Sequence, residues 1–175
     1  MVLSTDLPTQ LAETAEPTEF DAYVVARSPA LLRLAFLLTG DTHLAQDLVQ
    51  TALAKVVERW PTLVAKGDPH AYVRSVVLHT ALGWRRRRWQ GEHPSARLPD
   101  TADPVDPETT AVGRERLRRA LLHLPPRQRA AVVLRHYEDM SETDVARALG
   151  CSTGTVKSQT ARALAHLRTL LDDDR

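Results

Sequence analysis

The stretch Ser141–Leu171, SETDVARALGCSTGTVKSQTARALAHLRTLL, decides how the chain is read. It predicts two helices joined by a tight turn. Ser141 stands where a hydroxyl can cap the first helix, with Asp144 three residues on at the capping-box spacing. Val145, Ala146 and Leu149 form its apolar face, and Gly150 follows, where a chain turns through positive φ at little steric cost. Ser152 can cap the second helix, whose inward stripe is Val156, Thr160, Ala163, Leu164, Leu167 and Leu171. The opposite face carries Lys157, Ser158, Gln159, Arg162 and Arg168. A short helix, a turn and a longer helix with a cationic, hydrogen-bonding outer face is the pattern of a DNA-reading helix-turn-helix. The competing reading is an ordinary helical hairpin with a solvated face. Small Ala146, Gly150 and Val156 at this spacing favour the DNA reader.

Composition bounds the rest. A chain of 175 residues with 43% hydrophobic residues has room for one or two small cores. Its net charge of +1 means that any nucleic-acid surface must come from local segregation of charge. The single cysteine, Cys151, excludes an internal disulfide framework and a cysteine-based metal site. No basic-then-apolar leader opens the sequence, and no uninterrupted apolar run approaches the ~20 residues of a membrane span. The expectation is a cytoplasmic protein without membrane insertion. The seven histidines are scattered, without an HExxH pattern, and the chain has no Gly-rich phosphate loop. The carboxylates Asp172 to Asp174 sit on a terminal tail that cannot pre-organise a site. An enzyme is therefore disfavoured, and neither a cofactor nor a metal is expected.

Residues 1–18 are a polar, acidic lead-in. Residues 19–90 form a first helical module. Phe20, Tyr23 and Val24 start an apolar face, and Ala30–Leu38 (ALLRLAFLL) reads as a helix buried on most sides, stopped by Gly40. Asp41 or Thr42 can cap the next helix, His43–Trp60, with Leu44, Leu48, Ala52, Val56 and Trp60 inward. Asp47, Gln50, Thr51, Lys55, Glu58 and Arg59 face away, and Pro61 is expected to end the helix. Pro69 opens a further helix to about Gln90, whose apolar side is Val73, Val76, Val77, Thr80, Ala81 and Trp84.

That helix runs into Trp84-Arg85-Arg86-Arg87-Arg88-Trp89. Consecutive residues on a helix point about 100° apart, so four arginines put charge all around it. One or two would suffice to satisfy a helix C-terminus. Four with aromatic brackets argue for a polyanion, and the two tryptophans add stacking surfaces that suit unpaired bases or Arg–aromatic contacts.

Residues 91–111 change character, with Pro94, Pro99, Pro104 and Pro107 among Asp100, Asp103, Asp106 and Glu108. Such a segment lacks the apolar residues of a core and reads as a flexible, acidic linker. Residues 112–171 form the second module. Leu117, Ala120, Leu121 and Leu124 make one stripe, Pro125-Pro126 breaks the helix, and Ala130, Ala131, Val133, Leu134 and Tyr137 point inward from the next. Residues 172–175 are an acidic tail. The expected fold is all-α: two small helical domains joined by a Pro-rich linker, rather than one compact domain.

Leu124–Arg168 (LPPRQRAAVVLRHYEDMSETDVARALGCSTGTVKSQTARALAHLR) resembles region 4 of bacterial RNA polymerase sigma factors, including the G-T-V-K-S run Gly154–Ser158. Leu38–Trp60 (LTGDTHLAQDLVQTALAKVVERW) is similar to region 2 of that family. Two modules with a variable linker, no region 1.1 and no large region 3 is the layout of the extracytoplasmic-function (ECF) group. The Arg-rich tract resembles that of its SigE-like subfamily in actinomycetes.

The resemblance implies an alternative sigma factor that binds RNA polymerase core, recognises −10 and −35 elements and directs initiation at a specific regulon. It implies that Asp47, Gln50, Thr51 and Glu58 dock on the polymerase, at clamp helices of the β′ subunit. It implies that Arg74, His79, Trp84, Arg85, Arg86, Arg87, Arg88 and Trp89 bind and melt the −10 element. Thr155, Lys157, Ser158, Gln159, Ala161 and Arg162 would read the −35 element. His79-Thr80 stands where many relatives carry Asn followed by an apolar residue. Partners would be the core β and β′ subunits, promoter DNA and an anti-sigma factor, with the protein on the nucleoid when in holoenzyme. The alternative is a stand-alone helix-turn-helix regulator with an N-terminal sensing or dimerisation domain. The Trp-flanked basic tract inside that N-terminal half disfavours it.

Overall fold

The computed structural model describes residues 18–88 and 111–172, all of whose regular elements are helical. Helix α1 (Glu19–Thr39) begins in a capping box: the Asp21 N–H donates to Thr18 Oγ1 at 3.2 Å, and the Thr18 N–H donates to Asp21 Oδ2 at 2.8 Å. It ends at Gly40, whose φ of +74° suits a residue without a Cβ. Asp41 caps α2 (Thr42–Val56), its Oδ1 accepting from the Leu44 N–H at 2.8 Å.

The long helix expected from His43 to Trp60 is broken. After α2 come a 3₁₀ turn, Val57–Arg59, and a separate short helix α3, Trp60–Ala65. Pro61 lies in the first turn of α3, where a missing N–H costs nothing, so it starts a helix instead of ending one. Asp68 Oδ1 then accepts from the Ala71 N–H at 3.0 Å in the first turn of α4 (Pro69–Arg88).

The first module packs α4 across the α1–α2 pair. Leu31, Leu34, Ala35, Leu48, Ala52, Val56, Val73 and Val77 are almost completely buried there. Trp60 closes one end against Phe20 and Tyr23, with ring centroids 5.1 and 4.6 Å away. Helix α1 is long and apolar enough to match a membrane span by length and composition, yet its stripe Leu31–Leu34–Ala35–Leu38 lies inside the core.

In the second module α5 (Ala111–His123) and α6 (Pro126–His136) precede the pair α7 (Glu142–Leu149) and α8 (Thr153–Asp172). Ser141 and Ser152 cap α7 and α8, accepting from the Asp144 and Thr155 N–H groups at 3.1 Å each. Gly150 makes the turn with φ of +62°. Asp172, counted with the tail by sequence, is the last residue of α8. Tyr137, expected inward, is 42% exposed, because α6 ends one residue before it.

The two modules pack on one another, and their buried residues form one contiguous cluster. Gly40 marks a close approach: a Cβ there would lie 2.3 Å from Leu122 of α5. The expected linker, 91–111, falls outside the described residues except for Ala111, which begins α5.

Candidate nucleic-acid interface

Three polar faces are built by three helices. On α8, Val156, Ala163 and Leu167 are buried against the module, which turns Lys157, Ser158, Ala161 and Arg162 to solvent. Thr155 and Gln159 are half-buried at the edge of this face. The start of α8 is held by polar contacts: the Ser152 and Thr155 hydroxyls are 2.9 Å apart, and Ser158 Oγ donates to the Thr155 carbonyl at 3.0 Å. Lys157 pairs with Glu142 of α7 at 3.5 Å, which steers its ammonium along the face. With both partners well exposed, this pair contributes little to stability. Thr160 Oγ1, on the inward side, is buried and finds no hydrogen-bond partner among the described residues.

On α4 the predicted residues separate. Val73, Val77 and Leu78 are fully buried, whereas His79 is exposed. His79 Nδ1 lies 2.8 Å from the Ser75 carbonyl oxygen, which can only accept, so Nδ1 carries a proton and Nε2 is left for a ligand. His79 and Trp84 line a cavity of about 410 Å³ together with Tyr72, Ser75 and Thr80 of α4 and Lys55 of α2. Lys55 Nζ donates to Thr80 Oγ1 at 3.1 Å, and Arg59 Nη1 donates to the Tyr72 hydroxyl at 3.2 Å. An aromatic wall, a lysine and an imidazole make a recess with the chemistry to take a stacked, hydrogen-bonding base.

Lys55 was not legible as part of it. On the α2 wheel it sits among outward polar residues, and only the packing of α4 across α2 brings its ammonium to Thr80. Helix α4 continues through Arg88, so the arginine run starts on the same helix as His79; Trp89 lies outside the described residues. Arg74 takes another direction, pairing at 3.1 Å with Glu138 of the second module, their side chains only 22% and 14% exposed.

Beside that pair, the Tyr23 hydroxyl meets His70 Nδ1 at 2.9 Å. Burial pushes the Tyr23 hydroxyl up to about 12. Burial first, then Arg74 and Arg27, hold His70 below the usual imidazole value, which keeps it neutral. Tyr23 and His70 therefore meet as neutral partners at neutral pH.

The third face belongs to α2. Asp47, Gln50 and Thr51 sit together at i, i+3 and i+4, with Asp47 and Gln50 exposed and Thr51 half-buried. Glu58 does not join them on that helix, because the 3₁₀ turn intervenes. Among the described residues, no group of three His, Cys, Asp or Glu could hold a metal ion.

Comparison with known proteins follows this division. The family model described as Sigma-70 region 2 matches residues 24–91, and that of Sigma-70, region 4 matches residues 114–167. The RNA polymerase sigma-E factor of Streptomyces coelicolor is 47% identical over 154 residues, covering 87% of this chain and 86% of its own. The ECF RNA polymerase sigma factor SigG of Mycobacterium tuberculosis is 33% identical over 179 residues, covering 87% of this chain and 48% of its own. Among solved structures, the sigma factor RpoE in complex with the anti-sigma factor NepR from Bartonella quintana aligns with a TM-score of 0.70 at 26% identity. That match covers 89% of this chain and 98% of the other. With both regions present in order, and a sigma-E factor of this identity along nearly its whole length, the protein belongs to the ECF family of RNA polymerase sigma factors.

Proposed function

We propose that this alternative sigma factor divides its work among the three faces: α2 holds the polymerase, α4 opens the −10 element and α8 reads the −35 element. The observation that carries the reading is their separation. Asp47 and Gln50, His79 with the cavity beside it, and Lys157, Ser158, Ala161 and Arg162 occupy different helices, each exposed and each facing away from its core. One chain can therefore touch protein, melted strand and duplex through different surfaces.

The protein is a transcription initiation factor, and the chemistry of RNA synthesis belongs to the polymerase. Its contribution is differential binding. Arginines and lysines supply phosphate contacts that set affinity and register, and side chains at base edges supply specificity of about 1–3 kcal/mol per good contact. Two weak readers on one chain multiply their preferences. The α4 cavity receives an unpaired base of the non-template strand, stacked on Trp84 and within reach of Lys55 and His79. Thr155, Gln159 and Ala161 complete the −35 face. The α2 face engages clamp helices of β′, with Glu58 contributing from the adjoining turn. The protein works in the cytoplasm with the polymerase and is carried to the nucleoid in holoenzyme. An anti-sigma protein regulates it, as the likeness to a sigma factor solved with NepR supports.

Replacing Asp47 and Gln50 with arginine tests the polymerase face. Both are exposed on α2, so the helical circular dichroism spectrum should not change. Affinity for core polymerase, measured by fluorescence anisotropy, should fall at least a hundredfold, since reversed charge in an interface costs several kcal/mol. Undiminished core binding would refute the assignment of this face.

A further inference from the structure

The turn between α7 and α8 brings a carboxylate against the outward face of α8. Glu142 is the first residue of α7, and Lys157 lies just past the first turn of α8. Lys157 Nζ sits 3.5 Å from Glu142 Oε2, with the two side chains 67% and 38% exposed. A strand of DNA that reaches the ammonium therefore also reaches the carboxylate. Arg147, on α7 itself, is paired in the same way: its Nη1 meets Asp144 Oδ1 at 3.1 Å, with both partners in solvent. Two cations of the helix-turn-helix thus carry carboxylates of their own, both from the first turn of α7. An exposed pair does little for stability. The Ser141 cap and the turn at Gly150 define the ends of α7 without it. Its consequence is electrostatic.

A lysine binds duplex by neutralising a phosphate and releasing the cations condensed around it. Each such contact contributes about 0.9 to the slope of log affinity against log salt. A lysine that already holds a carboxylate brings little net charge to the phosphate. When the phosphate takes Lys157, the Glu142 carboxylate is left beside it, inside the screening length of about 8 Å at physiological salt. The two anions then repel, or a cation stays to separate them, and in both cases the contact gains less.

We propose that Glu142 is an internal counter-ion of the −35 reader: its carboxylate stands in for a DNA phosphate at Lys157 and limits how tightly the chain holds duplex of any sequence. The proposal rests on the −35 assignment of α8 made above. Phosphate contacts carry no sequence information, so weakening one lowers bulk binding and leaves base-edge contacts alone. A genome offers about 10⁶–10⁹ competing non-specific sites. A subunit that polymerase has to find is lost to initiation while it sits on them. Glu142 acts through Lys157 and is a positioning residue, not itself a DNA contact.

The test uses the full-length protein and a random-sequence duplex of about 20 base pairs, with affinity followed by fluorescence anisotropy from ~50 to ~200 mM salt. Glu142→Gln keeps the size of the side chain and leaves the Ser141 cap in place, so helical circular dichroism should match wild type. At the low-salt end its affinity should rise about fivefold, the upper end of what an exposed ion pair is worth. Its salt slope should steepen by about 0.9, as for one further phosphate neutralised. In a Lys157→Ala background the same substitution should change affinity by less than about twofold, because the carboxylate has no ammonium left to hold. Unchanged affinity in Glu142→Gln overturns the proposal. A gain with the wild-type slope, or a gain that persists in full without Lys157, overturns it too. Lys157→Ala alone tests the assignment beneath. Weaker binding with a shallower slope keeps α8 as the reader even where Glu142→Gln has failed, whereas undiminished binding removes the −35 assignment and the proposal with it.

Discussion

Replacing Arg129 with methionine is expected to remove a large share of the protein's stability. Arg129 is the largest fully buried side chain, 1% exposed, and its guanidinium lies among carbonyls. Nε donates to Leu121 at 2.7 Å, Nη2 to Leu122 and Leu124 at 2.8 and 3.2 Å, and Nη1 to Leu38 at 2.8 Å. The acceptors lie at the C-terminal ends of α5 and α1, with Leu124 just beyond α5, and their partial negative charge compensates a cation taken out of water. Methionine matches much of the volume but donates nothing, so up to four carbonyls lose their partner. At about 1–3 kcal/mol for each group left buried and unsatisfied, a loss of at least ~4 kcal/mol is expected. Small domains hold only about 5–15 kcal/mol in total. Chemical denaturation read by circular dichroism checks this; a midpoint within experimental error of wild type would show that water replaces the guanidinium without cost.

The second large effect concerns promoter opening. Changing Arg85, Arg86, Arg87 and Arg88 together to alanine should abolish strand separation by the holoenzyme while leaving core binding intact. Alanine is the best helix former, so α4 itself should persist. Each lost phosphate contact removes about 0.7 to 0.9 from the slope of log affinity against log salt, so the slope should shrink by about 3. Permanganate reactivity of thymines in the −10 region should disappear. Wild-type footprints and an unchanged slope would mean that the arginines serve only the end of their own helix.

What was legible in the sequence was local. Ser141, Gly150 and Ser152 announce caps and a turn through hydroxyl and glycine chemistry, and all three do that work in the structure. The apolar periods of α2 and α8 give the faces that turn inward, hence also those turned outward. Contacts between helices leave no such trace. Pro61 carries the same signal whether it ends one helix or begins the next, and what decides the matter is a 3₁₀ turn just before Trp60, whose ring packs on Phe20 and Tyr23 of another helix. Lys55 reads as solvated until α4 lies across it. Arg118, Arg129 and Glu138 look like ordinary surface charges in a basic helix pair. Their partners in the first module are backbone carbonyls and an arginine some 60 to 90 residues away, and no short-range pattern encodes those distances.

The most direct test of the central claim is transcription from reconstituted components. Purified protein and core polymerase, mixed with a library of genomic fragments, should give run-off transcripts from fragments sharing two upstream elements. Core polymerase or protein alone should give none, and the free protein should bind duplex DNA weakly. Tight, sequence-specific duplex binding by the protein alone, with no transcript on adding core polymerase, would contradict the account and make the chain a stand-alone helix-turn-helix regulator.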